Sequence, residues 1–233
     1  MTRRGSLQRR APELRELMDD PDCDRARLDA TYARFRLVNG LVAGWRGIYR
    51  DRIRPRLTEA SPTTLLDLGC GGGDVARALS GWAKRDGLHL AVTAIDPDPR
   101  AFAFASTQPG PPDIVYRCAS SADLVAEAAR FDVVVSNHVL HHLDREELAA
   151  FFFDSELLAR GTVLHGDIHR SRAAYAAYSV LSLPIAHGSF IRDDGLTSIR
   201  RSYTAKELRA TAPLGWEVEE RAPFRNLLTW QAR

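Results

Sequence analysis

The sequence predicts an α/β fold with a doubly wound parallel sheet. From residue 63 to residue 168, short apolar runs alternate with stretches of helical periodicity, and a glycine-rich turn directly follows the first run. Strands that alternate with helices at short spacing indicate a parallel sheet with helices on both faces. With 233 residues, 45% of them hydrophobic, the chain has the size for one domain with additions.

The N-terminal part of the chain is predicted to form a helical cap, residues 1–60, on a main domain of residues 61–233. A short helix is expected at Glu13–Met18. Apolar residues then recur at three- and four-residue steps from Leu28 to Ile53, which indicates one longer helix. Glycines weaken that helix and mark a bend or a close approach to a neighbour. They are Gly40, Gly44 and Gly47.

Two interpretations of the cap stay open at the level of sequence. Its helix is either purely structural, or it closes over a ligand site with a side chain from its inner face. The candidates for such a contact are Tyr32, Phe35 and Asn39.

The main domain reads as strands and helices in alternation. The predicted strands are residues 63–68, 88–95, 114–117, 131–136 and 162–167. The predicted helices between them are residues 74–86, 100–106, 120–129 and 144–159. The fourth strand is rich in β-branched residues, as expected for a strand that is buried on both faces.

The regular alternation ends after Ile168. Residues 170–201 are predicted to be a lid-like insertion, with a helix at 172–183 and a turn-rich segment at 189–195. A capping box at Thr204–Glu207 then opens the last helix. Two strands complete the chain, at 216–221 and 224–230.

Residues suited to ligand binding follow the ends of the first four strands. They lie at Asp67–Gly73, Asp96, Ser120 and Asn137. In an open parallel sheet, ligands bind beyond the carboxyl ends of the strands, so these residues are expected to line one crevice. A glycine turn lets main-chain N–H groups face a ligand, and a carboxylate at the second strand end suits the two hydroxyls of a ribose. The sequence therefore predicts a nucleoside ligand.

The residue at the end of the glycine turn argues against a dinucleotide. The dinucleotide fingerprint requires a glycine where this chain has Asp74. A carboxylate there would repel a pyrophosphate, but it suits a cationic ligand with an amino group. This favours S-adenosylmethionine, which carries a sulfonium and an ammonium group, over a nicotinamide cofactor.

Three segments resemble class I S-adenosylmethionine-dependent methyltransferases. Leu65–Gly73 resembles their glycine motif and Ala94–Asp96 their second motif, while Phe131–Leu143 resembles the fourth-strand motif of members that methylate small molecules, including those of quinone biosynthesis. The resemblance covers about residues 60–168. It implies a Rossmann-like, mostly parallel seven-stranded sheet with an antiparallel terminal strand, and S-adenosylmethionine as cofactor.

The resemblance also assigns a cofactor site. The loop Gly69–Gly73 would hold the methionine part, Asp96 the ribose, and Asn137 and His138 the sulfonium side. The corresponding residues of this chain are Asp67, Gly69, Cys70, Gly71, Gly73, Asp74, Asp96, Pro97, Ser120, Ser121, Asn137 and His138. Many relatives have an aspartate near the adenine amino group, where this chain has Ala119-Ser120-Ser121. A hydroxyl or the backbone is expected to replace it.

The methyl acceptor is expected to be a small molecule, apolar or aromatic, with a phenolic, polyketide or quinone-like hydroxyl. Transfer to a hydroxyl needs in-line geometry and a base, and imidazole titrates in the appropriate range. His141 and His165 lie near strand ends and are the predicted catalytic residues. Transfer to carbon, and a protein that binds the cofactor without catalysis, remain alternatives.

The histidines of the fourth-strand segment also bear on metal binding. Quinone-biosynthesis relatives read like Glu-Val-Leu-Glu-His in this segment and can hold a divalent metal. Here His138 and His141 replace the two carboxylates. Histidines alone favour a softer metal or none, and we predict no metal.

Composition narrows the classes of partner. The formal charge of +2 comes from 32 basic and 30 acidic residues, which argues against a nucleic-acid binder held by phosphate contacts. No apolar run approaches the roughly 20 residues that span a bilayer. Three cysteines without paired spacing favour a reducing, cytoplasmic location. The sequence leaves a monomer or a homodimer open.

Overall fold

The fold is organised around one seven-stranded sheet, which the computed structural model describes together with the rest of residues 7–232. The first six residues of the predicted cap, and Arg233, lie outside the described residues. The strands are β1 (Thr63–Leu68), β2 (Leu90–Asp96), β3 (Ile114–Cys118), β4 (Phe131–Asn137), β5 (Ala159–Ile168), β6 (Glu217–Arg221) and β7 (Arg225–Gln231). Their order is β3-β2-β1-β4-β5-β7-β6, and β7 runs antiparallel to β5 and β6. The predicted fold class is confirmed.

Helices cover both faces of this sheet. They are α1 (Arg25–Val42), α2 (Trp45–Ile48), α3 (Asp74–Arg85), α4 (Pro99–Thr107), α5 (Ser121–Ala126), α6 (Arg145–Leu158), α7 (Arg172–Leu181), α8 (Leu183–Ala186), α9 (Ile191–Arg201) and α10 (Ala205–Thr211). One core packs α2 and α3 on the sheet, and the other packs α5, α6 and α10 on the opposite face. Side chains alternate between these two cores because successive residues of a strand point to opposite faces.

The long helix predicted for residues 28–53 is broken at its middle. Gly44 has φ of 69° and separates α1 from α2, which continues into a π-helical turn at Tyr49–Ile53. The guanidinium of Arg225 occupies the space where a Cβ on Gly44 would lie, and it donates a 2.9 Å hydrogen bond to the carbonyl of Ala43. Glycine permits both the left-handed backbone and this close approach. The bend that the glycines indicated therefore lies at Gly44.

The short helix predicted at Glu13–Met18 is wrong. We call residues 10–20 the N-terminal strap; its regular structure is one 3-10 turn, Leu17–Asp19. Besides the backbone hydrogen bonds of its own turns, the strap is held by its neighbours. Asp194 accepts hydrogen bonds from the backbone N–H groups of Leu17 and Met18 at 2.6 and 3.1 Å. Arg10 anchors the other end by donating to the carbonyls of His141 and Leu143 at 2.9 and 2.8 Å.

The insertion between β5 and α10 contains three helices, α7 to α9. The turn predicted for residues 189–195 is instead largely the first part of α9, which begins at Ile191. Asp193 and Asp194 fall in the first turn of that helix, where negative charge is favourable. Gly195 lies against the ring of Tyr178, which leaves no room there for a side chain. Close helix packing, rather than a turn, accounts for this glycine.

None of the helices within residues 7–232 combines the length and the apolar character that a membrane crossing requires.

Candidate functional site

The glycine loop after β1 forms a cradle of exposed backbone. Gly69, Gly71 and Gly73 have φ of 66°, 51° and 73°. A Cβ on Gly69 would lie 2.7 Å from Val139, and a Cβ on Gly73 would lie 2.7 Å from the ring of Tyr116. Both the backbone conformation and the lack of space therefore require glycine here.

Asp96 joins the end of β2 to this loop. Its Oδ2 accepts a 2.8 Å hydrogen bond from the N–H of Gly71, and its Oδ1 accepts a 2.9 Å hydrogen bond from the N–H of Asp98. Burial raises the pKa of Asp96, and these two N–H groups oppose the rise. A carboxylate oxygen accepts more than one hydrogen bond, so a fixed acceptor pair remains at the strand end.

Two further carboxylates lie behind the loop. Asp67 and Asp74 are 1% and 7% exposed. Asp74 accepts a 3.0 Å hydrogen bond from Asn39 Nδ2, whereas Asp67 Oδ2 has no hydrogen-bond partner among the described residues. Burial raises the pKa of both carboxyls, most strongly that of Asp67. The carboxyls of Asp67 and Asp74 therefore lie behind the loop. Carboxyls at this position disfavour a phosphate and favour a cationic ligand.

Helix α1 covers the same loop. A Cβ on Gly72 would lie 3.1 Å from the Cβ of Tyr32 and 3.4 Å from the ring of Phe104. The rings of Tyr32 and Phe104 lie 5.3 Å apart, centroid to centroid. With the Asn39–Asp74 hydrogen bond, these contacts attach the cap directly to the candidate ligand site, which supports the functional interpretation of the cap.

The end of β4 carries the next two predicted residues. Asn137 Oδ1 accepts a 2.9 Å hydrogen bond from the indole N–H of Trp45 in α2. His138 has φ of 60°, and its N–H donates a 2.9 Å hydrogen bond to the carbonyl of Gly166. A non-glycine residue in this conformation is uncommon and is often found at functional sites. Burial lowers the pKa of His138 to about 4.

His141 is enclosed between two carboxylates. Its Nδ1 lies 2.7 Å from Asp167 Oδ1, and its Nε2 lies 3.4 Å from Glu16 Oε1 in the N-terminal strap. Burial opposes the charge on the ring, but Asp167 and Glu16 outweigh it and raise the pKa of His141 to about 9. The imidazole is 1% exposed. In this conformation it is a protonated group rather than a free base.

The neighbouring imidazole extends the cluster towards the cofactor loop. His142 Nε2 lies 3.8 Å from Glu16 Oε1, and its Nδ1 lies 3.5 Å from Asp19 Oδ2. Val139, three residues before His142, lies 2.7 Å from the position of a Cβ on Gly69. The histidine segment and the glycine loop are therefore neighbours.

His165 lies elsewhere. Its side chain belongs to the core beneath α6, where Nδ1 contacts Ser136 Oγ at 2.8 Å and Nε2 contacts Ser155 Oγ at 3.1 Å. Its ring stacks on Trp216 with centroids 5.3 Å apart. Burial lowers the pKa of His165 to about 3. The structure does not bring this residue to the crevice, because its position on β5 points it into the opposite core.

The remaining predicted cofactor-binding residues differ in how available they are to a ligand. Cys70 is buried in the loop, and its N–H donates to the carbonyl of Ile95 at 2.9 Å. Pro97 is exposed beside Asp96. The hydroxyls of Ser120 and Ser121 are already used: Ser120 caps α5, and Ser121 donates to Asp154 at 2.6 Å. An adenine contact through these two hydroxyls would require them to change partners.

Two site residues were missed by the sequence analysis. Asp167 lies near the carboxyl end of β5, and that position could have indicated it. Glu16 had no local signal, because it reaches the site through the strap from 125 residues away in the chain (141 minus 16).

These features fit S-adenosylmethionine. The cradle is closed to a Cβ at two glycines, the buried Asp67 carboxyl has an unpartnered oxygen, and a fixed carboxylate stands at the second strand end. The glycine loop suits a ligand that packs on the backbone, and the Asp67 carboxyl suits a cationic group. The Asp96 carboxylate can accept the hydrogen bonds of a ribose.

Comparison with known proteins identifies a methyltransferase domain in the chain. Residues 66–153 match the family described as "Methyltransferase domain". The ubiquinone biosynthesis O-methyltransferase of Methylocella silvestris is 38% identical over 99 residues, which cover 42% of this chain and 36% of that protein. The mitochondrial ubiquinone biosynthesis O-methyltransferase of Arabidopsis thaliana is 27% identical over 113 residues, covering 48% of this chain and 34% of that protein. The chain thus spans about a third of the length of these curated relatives.

Solved structures share the whole fold. The plantazolicin methyltransferase BpumL in complex with SAH has a TM-score of 0.66 at 12% identity, and the similarity covers 93% of each chain. Human N-acetylserotonin methyltransferase in complex with SAM has a TM-score of 0.62 at 11% identity, covering 89% of this chain and 56% of that one.

The glycine motif, the strand order and the matched domain lead to one assignment. The chain contains a methyltransferase domain at residues 66–153, and its fold is similar to that of solved methyltransferases with bound SAM or SAH, which supports S-adenosylmethionine as the cofactor.

Proposed function

We propose that the protein transfers a methyl group from S-adenosylmethionine to the hydroxyl of a small phenolic, polyketide or quinone-like molecule. The observation that carries this proposal is the adjacency of two sites. Val139, which lies between His138 and His141 in the chain, packs against Gly69 of the glycine loop, so a cluster of titratable groups borders the proposed cofactor site. Such a neighbourhood is needed when an acceptor must lose a proton as it gains a methyl group.

The cofactor supplies the methyl group when it is bound. In our proposal the loop Gly69–Gly73 holds its methionine part, and Asp96 accepts hydrogen bonds from the ribose hydroxyls. Asn137 and His138 line the sulfonium side. Trp45 fixes the amide of Asn137 through its indole N–H at 2.9 Å, so this side chain is positioned before any ligand arrives.

The acceptor is proposed to lie at the His141 cluster, beneath the strap and the lid-like insertion. Deprotonation of its hydroxyl there leaves an oxygen nucleophile, and the products are the methyl ether, S-adenosylhomocysteine and a proton. The names of the ubiquinone biosynthesis relatives support an oxygen acceptor. The exposed apolar side chains of the insertion support an acceptor with a hydrocarbon or aromatic body; they are Val180, Leu181 and Leu183.

Calorimetric titration with S-adenosylhomocysteine tests the cofactor part. We expect Asp96→Ala to weaken binding at least tenfold, because the ribose loses its acceptor and the Gly71 N–H loses its partner. Asp113→Ala, which removes an exposed carboxylate one strand away, is the matched control and should bind like the parent. Equal affinity of the Asp96 and Asp113 variants would show that the ribose assignment is wrong.

Incubation with phenolic acceptors and labelled cofactor tests the chemistry. Mass spectrometry of the product distinguishes a methyl ether from a carbon-linked methyl group. Products methylated only on carbon would overturn the proposed oxygen acceptor while leaving the cofactor site intact.

A further inference from the structure

A small cavity lies at the carboxyl ends of β4 and β5 and the adjoining start of β7. Its wall includes Asn137, His138, Asp167, Arg225 and Asn226. The cavity has a volume of about 10 Å³, which is room for about one water-sized group. The space therefore suits one oxygen atom of an acceptor, on the side of Asn137 and His138 where the sulfonium is proposed to lie.

Arg225, in the wall of this cavity, has a charge that no carboxylate of the described residues neutralises. Its guanidinium donates to the carbonyls of Ala43 and Ala222, and its Nε is buried without a hydrogen-bond partner between residues 7 and 232. Burial and the charge of Arg221 lower the pKa of Arg225. Hydrogen bonds from a guanidinium to an anionic oxygen are stronger than those to a neutral carbonyl. An ionised oxygen is therefore a better partner for Arg225 than either carbonyl.

A surplus of positive charge extends along the same wall. Arg221 also lines the cavity, and its carboxylate partner is Glu219, at 3.1 Å. Arg52 pairs with that same carboxylate at 2.5 Å. Three guanidiniums, those of Arg52, Arg221 and Arg225, therefore accompany the one carboxylate of Glu219, and the surplus attracts an anion to this part of the protein.

The titratable groups beside the arginines offer an acceptor no strong base among the described residues. Asp167 accepts hydrogen bonds from the backbone N–H groups of His141 and Ile168 at 2.9 and 2.7 Å, and its Oδ1 lies 2.7 Å from His141 Nδ1. His141 is protonated, and His165 lies in the opposite core. His138 lines the cavity, but burial lowers its pKa to about 4, so it is a weak proton acceptor at neutral pH.

The turn between β6 and β7 adds an aromatic ring beside the two cavity arginines. Phe224 lies between Arg221 and Arg225 in the chain and is 40% exposed. Its φ of 52° is uncommon for a residue other than glycine, and such residues are often found at functional sites. Two cations beside an exposed aromatic ring suit an acceptor that is both anionic and planar.

We propose that Arg225 and Arg221 bind the methyl acceptor through an oxygen that is ionised before transfer. The substrate class is then a vinylogous acid, in which the hydroxyl is conjugated with a carbonyl group. Hydroxyquinones and enolised cyclic 1,3-diketones of this kind give their proton to water at neutral pH, whereas simple phenols keep it. The ionised oxygen attacks the methyl carbon, the carbon–sulfur bond breaks with its electron pair remaining on sulfur, and the products are the methyl enol ether and S-adenosylhomocysteine. This substrate class rests on the proposed function, which it narrows.

The binding test uses two naphthoquinones of nearly equal size, on the full chain saturated with S-adenosylhomocysteine. 2-Hydroxy-1,4-naphthoquinone is an anion at neutral pH, and 2-amino-1,4-naphthoquinone is neutral. We expect calorimetry to show at least about tenfold tighter binding of the anion by the parent. This preference should disappear in Arg225→Gln, decrease in Arg221→Gln and persist in Arg225→Lys, which keeps the charge. Circular dichroism verifies that each variant is folded.

The matched control is Arg209→Gln, which removes an exposed arginine of α10 that pairs with Glu220. It should keep the preference of the parent. Equal affinity of the parent for the two naphthoquinones, or an undiminished preference in the glutamine variants of Arg221 and Arg225, would overturn the proposal. If Arg225→Gln does not fold, the result for Arg221→Gln decides.

Methyl transfer from labelled cofactor is measured in parallel. At neutral pH, 2-hydroxy-1,4-naphthoquinone should be methylated faster than 2-naphthol, which keeps its proton, and the rate should rise with the ionised fraction of the acceptor. Methylation of 2-naphthol at an equal or higher rate would also overturn the substrate class. A chain that does not bind S-adenosylhomocysteine would refute the proposed function, whereas cofactor binding without a preference for the anion would refute the anion site alone.

Discussion

Replacing Asn39 with alanine should remove one of the contacts between α1 and the glycine loop and lower the free energy of unfolding. Asn39 Nδ2 donates to Asp74 Oδ2 at 3.0 Å, and the two residues are 9% and 7% exposed, so water compensates poorly for the loss. A hydrogen bond to a charged group contributes about 1.5–3 kcal/mol and a neutral one about 0.5–1.5 kcal/mol. The loss should therefore be about 1.5–3 kcal/mol while Asp74 is ionised.

The same hydrogen bond makes the effect depend on pH. Burial raises the pKa of Asp74 in the folded protein, and the hydrogen bond from Asn39 opposes the rise. A carboxyl with a raised folded pKa contributes stability below its unfolded pKa and loses it as the pH rises through the folded value. Asn39→Ala should enlarge that loss, so its effect should be greatest at neutral pH and fall towards about 0.5–1.5 kcal/mol at acid pH.

Urea denaturation followed by tryptophan fluorescence measures this, on Asn39→Ala, Asp74→Ala and the double variant from pH 8 down to about pH 4, near the ordinary pKa of an aspartate. The coupling free energy from this cycle isolates the hydrogen bond from changes in packing. A coupling that stays the same across the pH range, or that is below about 0.5 kcal/mol at neutral pH, would refute the reasoning.

Two other substitutions test the loop geometry and the place of His165. Gly73→Ala places a Cβ 2.7 Å from Tyr116 at φ of 73°, so we expect a lower melting temperature and at least tenfold weaker binding of S-adenosylhomocysteine by calorimetry. The control is Gly87→Ala, which is also at positive φ but has open space around it and should lower only the melting temperature. His165→Ala removes a buried ring that contacts two serines and stacks on Trp216. It should lower the free energy of unfolding by about 2–4 kcal/mol and leave the affinity for S-adenosylhomocysteine within twofold of the parent. An unchanged stability, or a large loss of affinity, would return His165 to the site.

The sheet was predictable because its signal is local. Each parallel strand reads as a short apolar run, and Asp67, Asp96 and Asn137 stand where such runs end, so their convergence follows from topology. The helix boundaries were less predictable. Gly44 breaks the cap helix because Arg225 of β7 needs the space, and α9 forms because Gly195 admits the ring of Tyr178. Both causes are contacts between residues far apart in the chain.

The roles of the two predicted catalytic histidines also depend on contacts between distant parts of the chain. His141 and His165 look alike in sequence, since each lies near the end of a buried strand. The structure separates them by the direction of the side chain: His165 points into the core with α6, while His141 meets Asp167 and the strap. Strand alternation also separates them, because Leu164 lies in one core and the next residue of the strand, His165, must then point into the opposite core.

The N-terminal strap changes what the site can be. The fourth-strand segment offers imidazoles with opposite pKa shifts, to about 4 for His138 and about 9 for His141, and Glu16 is one cause of the second shift. With Glu16, His141 and His142 share one carboxylate, and each keeps an outer carboxylate on its second nitrogen. The carboxylate that sets the charge of this cluster thus arrives from a segment whose own sequence predicts only a short helix. Because Glu16 reaches the histidines only through the strap, displacing the strap would remove that carboxylate from both imidazoles.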